Sequence, residues 1–219
     1  MTETLPEEWE AAPEPGWVAP ILDEEFPGLS VRCTTVDCGS GRSSPALKEQ
    51  LRELSNRFHG AHAIQMRQKP IPWAYRVFFR HIGLDPDQTR TPVEQLALAR
   101  MHDGAFKSRN RLDDALTIGT IEIGVALRAF DAAKVDGRIG IRPSAPGERF
   151  EGRKSALPKG TLVIADERRP LEVLFGETAE GRGVNPKTKR TLLAAIGVKG
   201  VPDIALEEAL WLTASAMRA

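Results

Sequence analysis

The chain has 219 residues with 30 basic and 30 acidic side chains, so its formal net charge is zero. That balance excludes the overall basic surplus that non-specific nucleic-acid binding favours, though not a local basic face. Two cysteines, Cys33 and Cys38, are too few for a disulfide framework and read as a reducing compartment. No apolar run approaches the roughly 20 residues of a membrane span, and the acidic start lacks the basic end and apolar middle of a signal peptide. The expectation is a cytoplasmic protein with no membrane partner, large enough to bury a core unaided.

Residues 1–18 read as an acidic, Pro-rich tail without periodic pattern, which Trp9 and Trp17 could pin to the body. Residues 19–219 read as a single domain. Leu29 to Val36 alternates apolar and polar residues and predicts a strand, followed by a loop over Asp37 to Ser44. Pro45 opens a helix whose apolar stripe is Leu47, Leu51, Leu54 and Phe58. A second helix is expected from Pro72 to His81, stopped by Gly83. Thr91-Pro-Val-Glu94 is a capping box that starts a third helix running to about Met101. A fourth covers Leu112 to Ile123.

The second half changes character. Arg138–Arg142, Thr161–Ala165 and Leu171–Phe175 read as short strands between Pro/Gly-rich connectors. Two closing helices are expected, Pro186 to Ile196 and Asp203 to about Met217. Strands clustered in the middle with flanking helices, and no strict alternation, predict an α+β fold with central β-structure.

The densest polar pattern runs from Arg109 to Asp131. Asn110, Asp113, Asp114 and Thr117 stand at a helix start and Glu122-x-Gly124 at its end. Adjacent acids point about 100° apart on a helix and favour its positive end, so spacing alone reads Asp113 and Asp114 as capping groups first and as acid/base groups second. His59-x-x-His62 lacks a third and fourth ligand at a zinc-like spacing, so no metal is expected. Phosphate loops and serine elbows are absent, and no cofactor is implied. Basic residues gather in two stretches: Arg67, Lys69, Arg76, Arg80, Arg90, Arg100, Lys107, Arg109 and Arg111, then Lys187, Lys189, Arg190 and Lys199. If they share a face they could track a phosphate backbone; otherwise they are solvated helix faces.

Four segments in order resemble the B3/B4 domain of the bacterial phenylalanyl-tRNA synthetase beta chain and small free-standing proteins with a similar domain. They are Tyr75-Arg76 to Pro86 followed by Thr91-x-x-Glu94; Asn110 to Asp114 with Glu122-x-Gly124 and Ala129-Phe130-Asp131; Leu162-Val-Ile-Ala-Asp166; and Glu180 followed by Gly183-Val-Asn185 and Thr188. The resemblance implies a B3/B4-like α+β fold. It also implies hydrolysis of the ester of mischarged tRNA, with catalysis by positioning the ester and a water rather than by a side-chain nucleophile. The implied partner is tRNA or aminoacyl-tRNA. Asn110, Thr117 and Arg128 would hold the ester and its terminal adenosine. Glu180, with Glu177 as the alternative, would read the amino acid. Asp114, Glu122, Gly124, Phe130 and Asp131 would be structural parts of the motif. The chain departs from the family where Thr117 replaces Asn, Ala126 replaces Pro and Arg128 replaces His. Leu174 and Phe175 align with two glycines. Arg128 donates without accepting, so it cannot take a proton from water but could hold a carboxylate or phosphate. A non-catalytic module binding tRNA or an amino-acid-like ligand is therefore the alternative, and a small-molecule enzyme holding an anionic substrate on Arg128 is a third.

Overall fold

A computed structural model describes residues 12–219 except His59. Two four-stranded sheets form its centre. The first has the order β1 (Glu14–Pro15), β3 (Ser30–Val36), β8 (Thr191–Gly197), β4 (Ala126–Asp131), all antiparallel. The second has the order β2 (Trp17–Val18), β5 (Gly140–Pro143), β6 (Leu162–Ala165), β7 (Pro170–Val173), with β2 parallel to β5 and the rest antiparallel. Six α-helices surround them: α1 (Pro45–Arg57), α2 (Gly60–Met66), α3 (Pro70–His81), α4 (Pro92–Asp103), α5 (Arg111–Ile123) and α6 (Asp203–Arg218). The expected α+β class, with β-structure in the middle and helices around it, is what the chain adopts.

The first sheet is covered on both faces. On one, Val36, Leu127, Leu193 and Ala195 pack with Leu47 and Leu51 of α1, Ala115 and Ile118 of α5 and Leu206 and Leu210 of α6. On the other, Val31, Phe130, Ala194 and Ile196 meet Tyr75, Phe78 and Phe79 of α3 and Ile141, Ile164 and Leu171 of the second sheet. Tyr75 locks this arrangement. Its hydroxyl donates to the Ile196 carbonyl at 2.5 Å and accepts from the Ala126 amide at 3.1 Å, bridging β8 and β4 at a register pair.

Two expectations fail. Pro186 to Ile196 is not a helix: residues 185–188 turn back on themselves through the Thr188 amide and Asn185 carbonyl, and Thr191–Gly197 becomes the central strand β8. Leu and Ala suit a helix, but a strand buried on both faces also shows a continuous apolar run, and burial overrides the propensity. The described residues of the acidic tail also depart from expectation. Glu14–Pro15 pairs with Cys33 and Arg32, and Trp17–Val18 pairs with Gly140 and Ile141, so one short segment stitches the two sheets together. Gly16 makes that crossing, where a Cβ would collide with Val31 and the Ile139 carbonyl. Trp17 is held through its indole N–H on the Arg138 carbonyl at 3.0 Å; Trp9 lies outside the described residues.

Candidate functional site

The Arg109–Asp131 segment becomes helix α5, a glycine stop and strand β4. Asn110 is the N-cap: its side-chain oxygen accepts from the Asp113 amide at 2.9 Å and its amide donates to the Asp113 carboxylate at 2.9 Å. Thr117 donates back to the Asp113 carbonyl at 2.7 Å. Gly124 ends the helix at φ 88°, the left-handed conformation glycine adopts freely, and the chain leaves as β4. In that strand Leu127 and Phe130 enter opposite cores. Glu122 pairs with Arg57 at 2.5 Å. Asp131, buried, accepts from the Thr188 hydroxyl at 2.9 Å and the Ala133 amide at 3.1 Å.

Asp114 is the hub of this end of the molecule. Its carboxylate is 1% exposed and accepts from the Ser43 hydroxyl at 2.6 Å, the Ser108 hydroxyl at 2.6 Å and the Arg109 amide at 2.8 Å. These bonds fasten the β3–α1 loop and the α4–α5 loop to the start of α5. Three donors thus occupy its carboxylate, and Asp114 also borders the cleft between α4 and α5.

A cleft of about 290 Å³ opens between α4 and α5. Asp113, Thr117 and Thr120 of α5 line one wall, Gln95, Leu96, Ala99 and Arg100 of α4 the other, with Lys107 and Arg109 from the connecting loop and Arg128 from β4. Of the residues expected to bind substrate, Thr117 and Arg128 meet here. The Asn110 side chain is spent on the cap beside it. Glu177 and Glu180 are not among the lining residues. Both are exposed: Glu177 pairs with Arg153 at 2.6 Å, and Glu180 lies against Gly152.

The acid beside Arg128 is Glu172 of β7. The Arg128 Nε donates to the Glu172 carboxylate, and the same guanidinium donates to the Leu127 carbonyl at 2.9 Å. Thr178 donates to the other Glu172 oxygen at 2.8 Å. Glu172 is 3% exposed, and burial pushes its carboxyl above the usual range against the opposing pull of Arg128 and Thr178. The sequence carried one signal for it, a lone acid inside an apolar strand, Leu171-Glu172-Val173-Leu174. Phe175 follows at φ 61°, a conformation rare for an aromatic residue and natural for glycine. Its ring packs on Tyr75, Phe78 and Phe79 with centroids 5.0–6.1 Å away, and the Arg128 guanidinium stands 5.8 Å from it. The backbone takes a glycine-like bend here, while the side chain fills the space behind Arg128.

The cleft can hold an anion or carbonyl oxygen with Arg128, Lys107 and Arg109, and an ammonium with Asp113. It contains no serine, cysteine or histidine among its described lining residues. The Thr117 hydroxyl is donated to the Asp113 carbonyl, so its proton is not directed at a base. Among the described residues no three His, Cys, Asp or Glu side chains are grouped to hold a metal; His59 lies outside them.

Fold and cleft together define an α+β domain of two packed sheets with a polar, mixed-charge cleft beside the edge strand β4. Residues 74–205 match the model of the B3/4 domain, and the chain belongs to that family. It is 36% identical over 75 residues to the phenylalanine–tRNA ligase beta subunit of Legionella pneumophila (strain Paris), covering 33% of this chain and 10% of that one. It is 38% identical over 112 residues to that of Vibrio vulnificus (strain YJ016), covering 48% and 14%. The chain thus spans only about a tenth of the length of the subunits it matches. An N-terminal fragment of the phenylalanyl-tRNA synthetase beta subunit from Pyrococcus horikoshii aligns over 96% of this chain and 50% of that one, with TM-score 0.47 and 15% identity. Among the described residues no helix is long and apolar enough to cross a membrane.

Proposed function

We propose that this domain hydrolyses the ester of mischarged aminoacyl-tRNA in the α4–α5 cleft, acting by positioning and electrostatics. The observation that carries the reading is the meeting of Thr117 and Arg128, both from the family's signature segment, with Lys107 and Arg109 at one opening. Arg128 is anchored on two sides by Glu172 and the Leu127 carbonyl, so its charge is preorganised to face developing negative charge on an ester oxygen. Asp113 accepts the α-ammonium. An aminoacyl ester is already activated, so orientation supplies much of the acceleration.

A second reading rests on one observation. Glu172 neutralises Arg128, which suits a module that binds the aminoacyl end without turning it over. The deciding assay is deacylation of a panel of mischarged tRNAs. The wild type should clear at least one well above its spontaneous rate. A paired Arg128→Met, Glu172→Gln variant, which removes the buried charges together, should lose about 10²-fold or more in kcat/KM. No clearance of any tRNA, with tight binding retained, would favour the binding module.

A further inference from the structure

The expected basic stretches separate sharply in the structure. Arg76 is buried against Glu94 at 2.6 Å and Asp87 at 2.8 Å, Arg67 joins the same acids, and Arg90 pairs with Asp87. Arg100 donates to the Ser55 carbonyl. Those cations hold α3, α4 and α1 together and are not free to bind a polyanion.

A second group collects at one end of the first sheet, on three loops spanning residues 37–44, 104–111 and 182–191. These loops are tied to one another. The Arg111 amide donates to the Gly41 carbonyl at 2.8 Å, and Asp114 bonds both Ser43 and Ser108. The Thr191 hydroxyl donates to the Cys38 carbonyl at 2.6 Å, and Gly39 sits so close to the Thr188 carbonyl that a Cβ would collide with it. In a chain of zero net charge, the three loops carry Arg42, Lys107, Arg109, Arg111, Arg182, Lys187, Lys189 and Arg190 against a single acid, Asp37. Arg182 is taken by Glu151 and Lys107 reaches Asp103 at 3.5 Å. The other six basic side chains form no ion pair among the described residues, and five of them are exposed. Three acids border the patch: Asp114 and Asp131 are buried and hydrogen-bonded, and Asp113 is bonded to Asn110.

We infer that this three-loop patch is a docking surface for an RNA phosphate backbone, leading its 3′ end into the α4–α5 cleft. The inference rests on the proposed function and adds where the RNA lies. Continuity carries it: Arg109 and Lys107 belong both to the patch and to the cleft wall. No exposed aromatic stands on the three loops, so recognition is of phosphate and should tolerate many sequences.

The test uses uncharged tRNA and fluorescence anisotropy across a salt series, which does not depend on ester hydrolysis. Arg42→Ala, Lys187→Ala, Lys189→Ala and Arg190→Ala are combined in one variant. The control removes four cations elsewhere, Arg149, Lys154, Lys159 and Lys199. The patch variant should bind at least roughly tenfold more weakly near 0.1 M salt, and its log–log salt slope should flatten by about 0.7 for each phosphate no longer neutralised. The control should change little. Equal losses in both variants, an unchanged slope, or no tRNA binding by the wild type would each overturn the inference. Binding through the patch with no ester cleared would instead count against the hydrolase reading and leave the surface standing.

Discussion

Replacing Asp114 by Ala should be among the most damaging changes available at the cleft. The carboxylate is buried and accepts three hydrogen bonds, from Ser43, Ser108 and the Arg109 amide. Bonds to an ionised acceptor contribute roughly 1.5–3 kcal/mol each, and a buried donor left unpaired costs about 1–3 kcal/mol. These terms are not additive in one network, so a net loss of about 3–5 kcal/mol is expected from a total stability of about 5–15 kcal/mol. Asp114→Asn is the informative companion. Its oxygen can still accept from the Arg109 amide, and its NH2 can donate to the serine hydroxyls, which accept as well as donate. It should lose only about 1–2 kcal/mol. Urea unfolding followed by tryptophan fluorescence measures both, with the midpoint shifting at unchanged slope. Equal destabilisation of the two variants, or a loss under about 1 kcal/mol in Asp114→Ala, would remove the hub role.

Two other outcomes follow from buried groups. Arg128→Ala strands Glu172 in the interior and should cost about 3–5 kcal/mol near pH 8. Burial raises the folded pKa of Glu172, so the stability it permits is present at acid pH and is lost as pH rises from the ordinary carboxylate range through the raised value. The variant's deficit should therefore shrink toward pH 5, and a pH-independent deficit by thermal unfolding would contradict this. Burial, with Glu14 nearby, pushes the Cys33 thiol up to about 12. Native protein at pH 8 should take up alkylating reagent at half-buried Cys38 and leave Cys33 unmodified until the chain unfolds, and mass spectrometry of the labelled peptides would expose early reaction at Cys33.

Much of the local structure was legible because the chain states it redundantly. The capping box at Thr91 and Glu94 forms, with the Thr91 amide and hydroxyl both on the Glu94 carboxylate. The stripe Leu47, Leu51, Leu54 lies in the core as its period demands. Asn110 caps α5 and Gly124 stops it. The family signature was readable in order, and it carried the fold. What local pattern could not decide was whether the Leu/Ala-rich run before Gly197 would be helix or strand. Only neighbours on both edges and cover on both faces make Thr191–Gly197 the centre of a sheet.

The candidate site divides in the same way. The sequence by itself placed Thr117 eleven residues before Arg128 in one polar segment. It also determined that no charge surplus exists over the whole chain. The tertiary structure decided that Glu172, 44 residues from Arg128, is its partner, because β7 lies against the face of the first sheet from which Arg128 projects. It decided too that Arg67, Arg76, Arg90 and Arg100 are internal ties, while the cations of three loops share one end of the molecule. Charge along a chain is additive and one-dimensional, whereas electrostatic attraction depends on distance in space. Three loops far apart in sequence become one positive surface only when hydrogen bonds through Asp114, Gly41 and Thr191 bring them together.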